Sequence, residues 1–238
     1  MTTDVRRSRW RAVPAARMHL WLMLVLTFTT GINDAVGYLG LDRVFTGNMT
    51  GNVVILGMAL VGDTGLPVLG PALALVGFMV GAAGSGRVLR TTIDPWGART
   101  TWLLAVVALV MFGLAGLLAV AGNHPEQSVM VTTTTLAAAA MGMQAAVARH
   151  IAVKDVTTVV VTSTITGLAA DSWFGAGRPG STARRVLAVV LILLGATAGA
   201  AALQLHLGAG LALAGVLIAV VAVVGELHAR PTRRATPA

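Results

Sequence analysis

Apolar residues in this chain arrive in long blocks with short polar breaks, without the alternation of a half-buried strand or the stripe of a soluble amphipathic helix. Eight blocks span residues 18–41, 46–61, 67–88, 101–121, 129–147, 157–174, 186–205 and 207–224. Each has the length of a helix, and at about 1.5 Å per residue roughly 20 apolar residues cross a hydrocarbon core about 30 Å thick. The last two form one run broken only at Gln204-Leu-His206-Leu-Gly208, which predicts a tight helical hairpin. The second and sixth blocks differ from the rest. They carry Phe45-Thr-Gly-Asn-Met-Thr-Gly51-Asn52 and Thr157-Thr-Val-Val-Val-Thr-Ser-Thr-Ile-Thr-Gly167, with hydroxyls and amides where a lipid-facing helix would carry Leu.

Composition agrees with a bilayer setting. Of 238 residues, 56% are hydrophobic and 11% charged, against about 45–50% and 25% for a soluble domain. The chain has no cysteine, which excludes disulfides, thiolate metal sites and iron–sulfur clusters. Its net charge of +8 does not point to nucleic acid, because the cations sit between apolar blocks and at the termini. Five of them lie in residues 1–17, before an apolar block that contains Asn33 and Asp34 and lacks a small-residue cleavage site, as expected of an uncleaved anchor with a cytoplasmic N-terminus.

Charge placement chooses the topology. If all eight blocks cross, eleven Lys and Arg fall inside and six outside, a poor fit to the positive-inside rule. If the second and sixth blocks dip in and return, sixteen fall inside and only Arg43 outside. The expected fold is therefore an all-α membrane protein with six transmembrane helices plus two re-entrant or short broken helices. One dip, residues 42–63, enters from outside and the other, residues 148–178, from the cytoplasm.

A repeat runs through the same pattern. Gly31-Ile-Asn-Asp-Ala-Val-Gly37 matches Gly142-Met-Gln-Ala-Ala-Val-Ala148 at an offset of 111, and Phe45-Thr-Gly-Asn-Met-Thr-Gly51 matches Val161-Thr-Ser-Thr-Ile-Thr-Gly167 at an offset of 116. With three crossings per half, the second half is upside down, giving an inverted 3+3 repeat with a site between the halves. Residues 1–17 and 227–238 are then Arg-rich cytoplasmic tails around one transmembrane domain, 18–226, with halves at about 18–122 and 129–226.

Re-entrant backbone survives at membrane depth only where protein or water satisfies it. A dipping helix would offer free N–H groups and a partial positive charge to a cavity, which suits a small polar solute or an anion. The candidate binding residues are Asn33, Asp34, Thr46, Asn48, Thr50 and Asn52 in one half, and Gln144, Thr162, Thr164 and Thr166 in the other. Asp34 stands out as an intramembrane acid. The structural alternative is that these hydroxyls bond preceding carbonyls while Gly47/Gly51, Gly77/Gly81 and Gly195/Gly199 pack helices, and glycine-rich faces also allow a homo-oligomer. Arg149 and His150 read as topology anchors, and Asp171 as a solvated interfacial charge. No hydrolase, metalloprotease or nucleotide-binding motif is present, so neither enzymatic activity nor a metal or cofactor is expected.

At Gly31-Ile-Asn-Asp-Ala-Val-Gly-Tyr38 followed by Val44-Phe-Thr-Gly-Asn-Met-Thr-Gly-Asn52, the sequence resembles the YoaK family of bacterial membrane proteins, a domain of unknown function. The resemblance extends over about residues 18–226. It implies an inner-membrane protein with about six crossings and brings no substrate, cofactor or catalytic residue. The expected function is a small channel or secondary transporter, the alternative being a membrane scaffold or sensor that binds a partner or lipid through its Arg-rich termini. The topology makes a direct prediction: single cysteines introduced at Gly65 and Gly97 will be labelled from outside and from the cytoplasm respectively. An eight-crossing chain would reverse both.

Overall fold

The computed structural model describes residues 13–62, 64–153, 161–173, 175–177 and 182–235, with side chains to residue 230. Among these residues the fold is all-helical, without strands: α1 (Ala15–Gly40), α2 (Met49–Ala59), α3 (Leu69–Leu89), α4 (Ala98–Ala121), α5 (Gln127–Ile151), α6 (Val161–Ala170), α7 (Thr182–Leu203) and α8 (Ala209–Ala235). Six are long and apolar enough to cross a membrane. The other two, α2 with 11 residues and α6 with 10, are about 15–16 Å long, half of a hydrocarbon core. The second and sixth blocks thus form short helices, as the charge count demands. Residues 157–160 and 174 of the sixth block lie outside the described residues.

Two boundaries move. Helix α8 continues to Ala235 through the predicted tail, with an i,i+4 ion pair between Glu226 and Arg230 on its extension. Helix α1 begins at Ala15, directly after Pro14, whose carbonyl accepts from the Arg17 and Met18 amides. The α7–α8 hairpin appears where the polar break predicts it. Asn123, in the connection between α4 and α5, accepts from the Leu207 amide at 3.1 Å, and His206 Nδ1 accepts from the Gly208 amide at 3.0 Å.

The long helices associate chiefly as α1 with α7, α3 with α5 and α4 with α8; α1 also packs on α8, and α4 on α5. The core between them is built from Met23, Leu24, Leu26 and Ile32 of α1, Leu103, Leu104 and Met111 of α4, Met141 of α5, and Leu211 and Ile218 of α8, all fully buried. Helices α3 and α7 keep broad exposed apolar faces, with Val76, Met79 and Val80 on one and Val190, Leu193 and Leu194 on the other. Helix α2 lies on α3, and α6 on α7.

Association between helices in lipid gains no hydrophobic driving force, so it depends on close van der Waals approach. Glycines supply it at two crossings. A Cβ on Gly31 would meet the Ile192 carbonyl and, at 2.8 Å, the Ala196 amide, while one on Gly195 would meet the Phe28 carbonyl. At the other crossing, a Cβ on Gly142 would meet the Phe78 carbonyl and, at 3.1 Å, the Ala82 amide, and one on Gly81 the Ala139 carbonyl. Because backbone cannot move aside as a side chain can, Gly81→Val and Gly195→Val should each lower stability by about 1–3 kcal/mol. Gly113→Val, facing nothing within 4 Å, should change it by no more than about 0.5 kcal/mol. Thermal melting of the detergent-solubilised protein checks both.

Candidate functional site

After α1 the chain doubles back. Asp42 and Arg43 adopt left-handed conformations, with φ 59° and 57°, an unusual pair for non-glycine residues that makes the reversal tight. Val44 then runs back along α1, fully buried, with its carbonyl against Gly37, where any side chain would collide. That contact sets the depth to which the returning strand descends.

The descent delivers three backbone amides to one carboxylate. Asp34 Oδ1 accepts from Thr46 N at 3.0 Å, Gly47 N at 2.7 Å and Asn48 N at 3.2 Å. These donors lead into α2, the last of them being its N-cap residue, and a carboxylate there also meets the positive end of the helix dipole. The rest of the motif closes on itself. Asn48 caps α2 by accepting from Gly51 N at 3.3 Å, while Asn52 accepts from Phe45 N at 2.8 Å and donates to Phe45 O at 2.6 Å. The Phe45 ring stacks on Tyr38, with 4.8 Å between centroids, and covers Gly51.

This arrangement corrects one expectation. The amides around the start of α2 do not stand open as a row to an anion: Asp34 takes those of residues 46–48, Gly47 O that of Met49 and Asn48 Oδ1 that of Gly51. Thr46 is buried with its side chain against the Asp34 carboxylate, and Thr50 is exposed on the helix.

One residue before Asp34, α1 crosses α5. Asn33 and Gln144 are both 0% exposed, and each reaches onto the opposite helix. Asn33 Nδ2 donates to Met141 Sδ at 3.1 Å; Gln144 Nε2 donates to Leu26 O at 3.3 Å and to Thr30 Oγ1 at 3.4 Å. Their amide oxygens, Asn33 Oδ1 and Gln144 Oε1, are buried without a hydrogen-bond partner. Gly47 joins the crossing to the cap, since a Cβ there would lie 3.0 Å from Thr30, 3.4 Å from Asp34 and 3.4 Å from Met141. Asn33, Asp34, Thr46, Asn48, Asn52 and Gln144 therefore form one cluster.

The threonines of the sixth block do not join it. They sit on α6, which packs on α7, whereas α2 packs on α3. Thr164 is buried, while Thr162 and Thr166 are exposed and Thr166 Oγ1 donates to the Thr162 carbonyl at 2.9 Å. At the other end of α6, Arg185 donates to Gly167 O at 2.7 Å and pairs with Asp171 at 2.7 Å. Asp171 is thus a member of a helix-end ion pair rather than a free interfacial charge. His150 approaches the Asp94 carbonyl at 3.1 Å, tying the end of α5 to the α3–α4 connection.

The chain matches, over residues 22–224, the family described as a protein of unknown function (DUF1275). It belongs to that family. It is also 32% identical over 158 residues to the UPF0700 transmembrane protein YoaK of Bacillus subtilis (strain 168), a match covering 66% of this chain and 68% of the relative. No solved structure matches it. Both motifs of the cluster lie inside the stretch that matches the DUF1275 family.

Thr30, Met141 and Gly37 are members of the site that motif reading passed over as such. The first two carried a signal: the offset of 111 between the motifs, applied one residue earlier, pairs Thr30 with Met141. Loss of the Asp34 carboxylate exposes the start of α2. Asp34→Ala should therefore cost about 1–2 kcal/mol of thermal stability and raise the labelling rate of a cysteine placed at Thr50, whereas Asp34→Asn, which keeps an acceptor oxygen, should retain most of both.

Proposed function

We propose that the protein is a small channel or secondary transporter of the bacterial inner membrane, carrying a small polar solute through the α1–α5 crossing between two halves of an inverted 3+3 repeat. In this reading both termini are cytoplasmic. The observation that carries it is the pair of fully buried amides, Asn33 and Gln144, each with an unpartnered oxygen. Leaving such a group unpaired costs about 1–3 kcal/mol, and polar groups kept at membrane depth mark solute paths.

The repeat is supported by contacts as well as motifs. Phe78 and Ala82, which face Gly142, correspond at an offset of 114 to Ile192 and Ala196, which face Gly31. The same offset relates Gly81 to Gly195, and the offset of 111 relates their partners Phe28 and Ala139. The crossing hydrogen bonds correspond too: Asn33 reaches Met141 as Gln144 reaches Thr30, both pairs being exchanged by the offset of 111. Exchanging the halves maps α1–α7 onto α5–α3 and α1–α8 onto α5–α4, all of them observed pairs. Asn33 lies seven residues before Gly40 and Gln144 seven before Ile151, so each is about 10 Å from the end of its helix. With those ends on opposite sides, both amides fall near the midplane, where transporter sites form.

Flux across liposomes containing the purified protein tests the reading, with inorganic ions, small amines, carboxylates and nucleobases as solutes. Selective flux is expected, reduced about tenfold or more by Gln144→Leu as one hydrogen-bonding partner of the solute is lost. No selective flux with any class would overturn it.

A further inference from the structure

We propose that the cluster at the α1–α5 crossing is a binding site for a small monovalent cation, held by Asp34 with the amide oxygens of Asn33 and Gln144 and the hydroxyl of Thr46. This deepens the reading above by naming the charge of what binds there. The groups without partners are all oxygens. Asn33 Oδ1 and Gln144 Oε1 are buried and unpaired. Asp34 uses Oδ1 for the three amides that lead into α2, and the Thr46 side chain also lies against its carboxylate. For Gln144 the assignment of the free atom follows from its neighbours, since the nitrogen is the end that can donate to Leu26 O.

Among the described residues no ion pair to Asp34 occurs. Asp34 lies six residues before the end of α1, and every described Arg side chain in the six long helices lies within five residues of a helix end. An ionised carboxylate without a counter-charge is costly at membrane depth, and a bound cation offsets that cost. One carboxylate with neutral oxygens suits a single positive charge. Sites for Ca²⁺ draw on more carboxylates, and no trio of His, Asp or Glu able to hold a metal ion occurs among the described residues. The same logic accounts for the difference between the two matched motifs. Asn33 and Gln144 both keep an amide, while Asp34 is answered by Ala145; one bound charge needs one carboxylate. Access comes from the α2 side, where Asp34 is partly exposed and Asn48 exposed.

The test is thermal melting of the full-length purified protein in detergent, titrating Na⁺, K⁺ or NH₄⁺ against choline at constant ionic strength. At least one small cation should raise the midpoint saturably relative to choline, as a ligand specific to the folded state does. Asp34→Asn, which keeps the cap of α2 but removes its charge, and Gln144→Met, which keeps length but removes the oxygen, should each raise the half-saturating concentration about tenfold or more, the size of one charge-assisted contact. A midpoint no higher in any of the three cations than in choline overturns the proposal, as does a half-saturation unchanged in Asp34→Asn. Cation binding without liposome flux would retain this site and remove the transport reading. Selective flux without any cation response would do the reverse.

Discussion

A helix that starts inside a membrane brings amide hydrogens with no acceptor of their own and no water to supply one. In this protein one carboxylate takes the amides that lead into the short helix α2. Asp34 takes three successive N–H groups of residues 46–48 on a single oxygen, and the neighbouring chemistry can be read as what brings those amides to it. Gly37 has no side chain because the returning backbone must lie against α1; Asp42 and Arg43 take left-handed conformations because the reversal must be completed in a few residues. Asn52 holds Phe45 by both main-chain groups so that the strand between them cannot slide. Without the acid, this loop would have to return to a depth where water can reach it.

Around that point the long helices approach through glycine rather than through bulky interdigitation. The consequence is geometric. When Gly31 and Gly195 let α1 and α7 touch backbone to backbone, and Gly81 and Gly142 do the same for α3 and α5, α1 and α5 are each clasped from one side and left facing one another. Their shared face carries Asn33 and Gln144. Amides there are tolerable because each donates across the crossing, and their unused oxygens are what makes the crossing more than a packing interface.

Much of this was legible before any coordinates. Block lengths and the placement of seventeen cations separated six long helices from two short ones, because the energetic penalty on a misplaced Arg or on unsatisfied backbone in lipid is large. The same arithmetic said nothing about partners. That Asp34 holds the amides leading into α2 could not be read from residues 31–37 and 45–51, since it depends on a reversal whose two left-handed residues, Asp42 and Arg43, carry no glycine to announce it. The threonines at 162, 164 and 166 looked equivalent to those at 46 and 50 by composition. They lie elsewhere because α6 is held by Arg185 and Asp171 against the helix that follows it.

The two matched motifs differ most where their chemistry is most exposed. Asn33 and Gln144, Gly31 and Gly142, Val36 and Val147 keep the same roles or types, while Asp34 and Ala145 do not. A crossing built from equivalent amides would treat its two sides alike. A single carboxylate beside it breaks that equivalence, and its Oδ1 holds the amides that lead into the short helix. Any change in the charge on Asp34 therefore acts on α2 as well, which packs on α3 alone among the long helices it contacts extensively.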